Sequence, residues 1–177
     1  MALLFAALFA VPAAAQFRKG APAPCIEARD IHEQEVDTCG IIAERKPYLA
    51  LYFFFDPDSG EDLALKLRLL DMRYGREKME IVALGFAEDA EALRAFASRL
   101  DLRYHIIPKE SLADVSWLEA VQTLPLVLFV SGDDKPVVEQ VLSGGGQSNA
   151  TFLKEVAENL YQKRRTEALE VADVDGD

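Results

Sequence analysis

Cysteine is scarce in this chain: Cys25 and Cys39 are its only two thiol-bearing residues. No Cys-x-x-Cys occurs, and Cys25…His32…Cys39 matches no standard zinc or copper spacing, so no metal site is expected. Positive charge is short too. Nineteen Lys and Arg face thirty Asp and Glu, for a formal charge of −11. Nucleic acid and anionic membrane surfaces both need local positive charge, so neither is expected as a partner. A bilayer-spanning run is also lacking. The apolar stretch Ala2–Val11 is too short to cross, and no stable membrane insertion is expected once it is removed. Phosphate loops, Ser/His/Asp sets, basic patches and internal repeats are missing, and no cofactor is expected.

What is present begins with an address. Residues 1–15 carry no charge and end in Ala13-Ala14-Ala15, the small-residue pattern of a signal-peptide cleavage site, although the usual leading Lys or Arg is missing. The reading is a signal peptide over 1–15, Gln16 as the mature N-terminus, and a periplasmic or secreted protein. An even cysteine count in an exported chain favours a Cys25–Cys39 disulfide. Closing so short a loop stabilises by about 3 kcal/mol on a chain-entropy estimate. The competing reading is a switchable thiol pair.

Residues 16–46 read as an N-terminal extension carrying both cysteines, with Cys25–Thr38 as a polar surface loop or short helix. From Pro47 the pattern alternates. Tyr48–Phe55 and Met79–Gly85 are continuous apolar runs, as expected of strands covered on both faces. Leu63, Leu67 and Leu70 share one face of a helix over Leu63–Met72. Ala92, Leu93, Phe96 and Leu100 do the same over Glu88–Leu100. Arg103–Ile107 is a short strand, and Leu112–Val121, with Trp117 in the core, a short helix or turn. Pro125–Val130 and Pro136–Leu142 are strands joined at Ser131-Gly132-Asp133-Asp134. A final helix follows Ser148 or Asn149 and buries Phe152, Leu153, Val156 and Leu160. This gives an α/β fold, a mixed central sheet with helices on both faces over residues 47–165. Residues 166–177 read as a frayed acidic tail.

Four features together carry a resemblance. They are Lys46-Pro47 ahead of an apolar strand; Ala83-Leu84-Gly85-Phe86 followed by Glu88–Leu100; Val121-Gln122-Thr123-Leu124-Pro125 ahead of a strand and Gly132-Asp133-Asp134-Lys135; and Gly144 after the hairpin. Over Ile41–Lys163 the chain resembles the thioredoxin-like superfamily, in its exported TlpA/ResA-like (redoxin) branch. The resemblance implies a thioredoxin-like fold and a cis-proline loop at Thr123, Leu124 and Pro125. It also implies that the turn after the first strand should hold the active-site Cys-x-x-Cys. Here that turn is Asp58, Ser59, Gly60, Glu61 and Asp62, with no thiol. Together with Asp56, these acids read as a solvated helix start that suits the helix dipole.

Disulfide exchange needs a thiolate and a second thiol to resolve it. The leading expectation is therefore a member lacking the catalytic pair, a non-catalytic binding or assembly module. Its partner would be a protein, basic in view of the −11 charge. On this expectation Cys25 and Cys39 support no cysteine-dependent turnover. The alternatives are a thiol–disulfide oxidoreductase using Cys25 and Cys39, and a metal carrier.

Overall fold

The computed structural model describes residues 17–174 apart from 88, 115, 133 and 134. The expected signal peptide, Gln16, Glu88, the Asp133-Asp134 tip and the last three tail residues lie outside the described residues. The elements are β1 (Glu27–Arg29), β2 (Glu35–Asp37), α1 (Thr38–Arg45), β3 (Leu49–Phe55), α2 (Glu61–Tyr74), β4 (Met79–Gly85), α3 (Ala90–Leu100), β5 (His105–Pro108), β6 (Leu126–Ser131), β7 (Val138–Ser143) and α4 (Gln147–Val174).

Five strands form the central sheet in the order β5-β4-β3-β6-β7. β3 pairs parallel with β4, which pairs parallel with β5, while β6 lies antiparallel to both β3 and β7. This is the expected mixed sheet. Its centre is buried on both faces, which is why β3 and β4 read as unbroken apolar runs. Side chains alternate between the faces. Leu49, Leu51, Phe53 and Phe55 join one core cluster with Leu63, Leu67, Phe96, Leu153 and Tyr161 from α2, α3 and α4. Ala50, Tyr52 and Phe54 join a second with Ile26, Val36, Ile42 and Trp117.

The second face is covered by what the sequence showed least clearly. Expected as a loop or short helix, Cys25–Thr38 is mainly the β1–β2 hairpin, antiparallel with Ala28 opposite Val36. α1 follows at once. Asp37 caps it by accepting the Gly40 N–H at 3.0 Å, and Lys46 ends it in the left-handed region at φ 46°. Upstream, Gly20–Ala23 bonds along β7, where the Gly20 N–H donates to the Val138 carbonyl and the Val138 N–H to the Ala21 carbonyl. Leu112–Val121 holds a 3₁₀ turn at Leu118–Ala120, with Trp117 edge-on to Phe54 at 5.8 Å. The last helix runs on to Val174, past residue 165 where the sequence reading stops it.

Candidate functional site

Three loops meet at the C-terminal end of β3. In the acidic turn, Asp56 accepts the N–H groups of Asp58 and Ser59 at 3.0 Å each, and the Ser59 hydroxyl donates to the same carboxylate. Gly60 then leads into α2, whose first turn carries Glu61 and Asp62. The Leu124–Pro125 bond is cis, and the Gly144 N–H donates to the Pro125 carbonyl at 2.8 Å. A Cβ on Gly145 would lie 2.9 Å from the Ser59 carbonyl oxygen and 3.5 Å from the Pro125 ring. Asp58–Asp62, Pro125 and the glycine loop are thus in contact. Thr123 is exposed and Leu124 half-buried beside them. No thiol stands in this turn; Asp56 is occupied with the local backbone, and Glu61 pairs with Arg99 at 2.8 Å.

The two cysteines lie elsewhere, on the second face of the sheet. Cys25, just ahead of β1, and Cys39, the second residue of α1, form a disulfide with Cα atoms 5.2 Å apart. Cys25 is exposed and Cys39 half-buried, so the bridge is open to solvent on one side. Between them sits a lock. The Ile26 N–H donates to the Thr38 hydroxyl at 2.9 Å, and the Thr38 N–H donates to the Ile26 carbonyl at 3.1 Å. Ile26 and Ile42, beside the bridge, share their core cluster with Leu124 and Leu126, which flank Pro125.

Two ionisable groups frame this face. Tyr52 is buried beneath Thr38, with its hydroxyl closed off from solvent. Burial pushes its phenol up to about 12, opposed by the Thr38 hydroxyl and reinforced by Asp37 and Glu80. At the far end of the hairpin, Asp30 accepts His32 N–H at 2.8 Å, Gln34 N–H at 3.0 Å and pairs with His105 Nδ1 at 2.8 Å. Burial works against its charge, yet these bonds outweigh burial and hold the carboxyl below its usual value. Among the described residues, no three of His, Cys, Asp and Glu gather into a group that could hold a metal. His105 is engaged with Asp30, and both cysteines with each other.

Sequence reasoning missed the Ile26–Thr38 lock and the Asp30–His105 pair. The first had a faint signal, since Asp37 three residues ahead of Gly40 suits a helix N-cap and would have placed Cys39 in a first turn. The second had none, because 75 residues separate the partners.

No protein-family model matches the chain, and no curated protein matches it. Solved structures do. A Chlorobium tepidum protein described as the thiol:disulfide interchange protein DsbE superposes with a TM-score of 0.67 at 12% identity, covering 82% of this chain and 99% of that one. A C-terminal domain from Bacteroides thetaiotaomicron, described as a thiol-disulfide oxidoreductase, gives 0.62 at 15% identity over 84% and 99%. A secreted Mycobacterium tuberculosis disulfide oxidoreductase gives 0.50 at 15% identity over 80% and 98%. At such identities the likeness establishes the fold.

These findings correct two expectations. The resemblance is read above with the active-site Cys-x-x-Cys lacking. A cysteine pair is nonetheless present at disulfide distance, carried by residues 25 and 39 and not by the 58–62 turn. It was also read as a non-catalytic module. The structures that share its fold are named as thiol–disulfide oxidoreductases, and together with the bonded pair they favour the oxidoreductase alternative.

Proposed function

We propose that this chain is a thiol–disulfide oxidoreductase whose redox pair is Cys25 and Cys39. One observation carries the reading: a disulfide exposed at Cys25, with its other sulfur in the first turn of α1. A helix N-terminus favours negative charge by about 0.3–1 kcal/mol, which would make Cys39 the better leaving thiolate. The exposed Asp37 carboxylate opposes this by a similar amount. Exposure then decides polarity, and the incoming thiolate attacks Cys25.

The step balances as follows. A substrate thiolate attacks the Cys25 sulfur, the Cys25–Cys39 bond breaks, and its electron pair leaves on Cys39. A second substrate thiolate attacks the substrate sulfur of the mixed disulfide and releases Cys25. The substrate leaves as a disulfide, two electrons poorer, and the chain as a dithiol. Run backwards, the same steps reduce a substrate disulfide.

The substrate would be a protein. A basic segment beside its cysteines suits the open groove along the β1–β2 hairpin, where Glu27, Asp30, Glu33, Glu35, Asp37 and Glu110 outnumber Arg29 and Arg94. The working compartment would be the periplasm or the exterior. The apolar 1–15 segment supports this, as does the description of one structural neighbour as secreted. Among the described residues no helix is long and apolar enough to cross a membrane.

Insulin reduction with dithiothreitol as electron donor tests the reading. Turnover should be present in the wild type and lost in Cys25→Ser/Cys39→Ser. Equal rates in the two proteins would end it.

A further inference from the structure

Reduction of the bridge does not have to free its two ends, because a second link joins the same two segments. Cys25 is followed by Ile26, and Cys39 is preceded by Thr38. Those inner residues are paired by two hydrogen bonds of 2.9 and 3.1 Å. Only one of the two uses a side chain, the Thr38 hydroxyl. Thr38 is 1% exposed and Ile26 2%. Most buried polar side chains are bonded, and here the bond holds the backbone next to one sulfur against the backbone next to the other. Asp37, capping α1 through the Gly40 N–H, fixes the same segment from the other side.

We propose that Thr38 is a positioning residue that sets the reduction potential of the Cys25–Cys39 pair. The inference builds on the oxidoreductase reading by saying what tunes the pair, but its readout is an equilibrium and does not need turnover. In the dithiol, the lock keeps the sulfurs within reach and favours re-closure. In the disulfide, the bridge itself pins Ile26 and Thr38 together. Loss of the hydroxyl there strands the buried Ile26 N–H, whereas in the dithiol the segment relaxes and the amide finds water. Both effects act in one direction: without the hydroxyl the disulfide is the less favoured form. The cost of one stranded buried amide is on the order of tenfold in an equilibrium constant.

The test is a redox titration against reduced and oxidised dithiothreitol, read by alkylation and intact mass. Protein disulfide and dithiothreitol dithiol exchange two electrons and two protons to give two protein thiols and dithiothreitol disulfide. Thr38→Val keeps the shape and removes the hydroxyl. It should raise the equilibrium for reduction about tenfold, a potential about 30 mV less negative. Thr38→Ser restores the hydroxyl and should stay within about threefold of wild type. Leu67→Ala, fully buried on the opposite face, destabilises the fold and should leave the potential in place. Should Thr38→Val not fold, amide exchange in the reduced wild type answers the same question, since the Ile26 N–H should stay protected. The proposal is overturned if Thr38→Val titrates with wild type, if Leu67→Ala shifts the potential as far, or if Ile26 loses protection on reduction. A moved potential without insulin turnover would sink the enzyme reading and leave this inference standing.

Discussion

Asp30→Ala is the substitution whose cost the structure defines best. The Asp30 side chain is 2% exposed. It accepts three hydrogen bonds at 2.8, 3.0 and 2.8 Å, two from the hairpin backbone and one from His105. Bonds to a charged group contribute about 1.5–3 kcal/mol each, but they share one carboxylate and do not add. Breaking a buried pair costs about 3–5 kcal/mol when the partner is left enclosed. His105 is 31% exposed and regains water, so the lower end applies, about 3 kcal/mol. For a chain of this size that corresponds to a melting point lower by about 6–12 °C. The effect also has a pH signature. The folded carboxyl lies below its ordinary 3.8, so the unfolded chain binds that proton more readily. The stabilisation is complete above 3.8 and drains away as pH falls through the folded value. Urea melts of wild type and Asp30→Ala, followed by far-UV circular dichroism, should show the full gap at neutral pH and a shrinking one below 3.8. A neutral-pH gap under about 0.5 kcal/mol, or one that widens on acidification, would refute the assignment.

Other outcomes follow from single contacts. Cys25→Ser/Cys39→Ser should lose about 3 kcal/mol, and reductant should bring wild type to the same melt; coincident melts with and without reductant would show that the bridge contributes nothing. Phe53→Ala removes a ring that is 1% exposed and stacked on Phe55 at 4.8 Å, and should cost about 3–5 kcal/mol in chemical denaturation. Gly145→Ala forces a Cβ to within 2.9 Å of the Ser59 carbonyl, so a loss of about 1–3 kcal/mol is expected; a neutral result would mean the acidic turn and the Pro125 loop separate at little cost. Asp89→Ala removes the cap of α3, where the carboxylate accepts the Ala92 N–H at 2.8 Å, and should cost about 1 kcal/mol.

The sequence made the sheet legible because burial on both faces writes itself into composition. β4 was read at its observed bounds, Met79–Gly85, and β3 within a residue. α2 and α3 were visible through apolar residues at helical spacing. The second face was harder. α1 has eight residues, a glycine at position 40 and a weak apolar stripe, so local pattern does not separate it from a loop. The hairpin strands have three residues each, too few for alternation to register. Residues 166–172 look like a tail because they are polar or exposed, yet they continue a helix anchored by Ala150, Leu153, Ala157 and Tyr161 upstream. The setting of the bridge was hidden for another reason. Cys25 and Cys39 lie outside the turn where the resembled branch keeps its thiols, and the hairpin that frames them has strands too short for sequence pattern to show.

The path of residues 17–31 bears on how the protein stays dispersed. Outer strands offer unpaired backbone to other chains unless something occupies it. Gly20–Ala23 takes up part of the β7 border, and a few residues later the Ile31 N–H donates to Ile106 on β5, the opposite border. One stretch of chain therefore shields both sides of the sheet. Removing it would expose two sticky borders together with the apolar surface under Ile26, so a version trimmed to begin at β3 should self-associate even if its helices form. A trimmed form that stays monomeric should therefore need residues 17–31 as well as the five-stranded sheet.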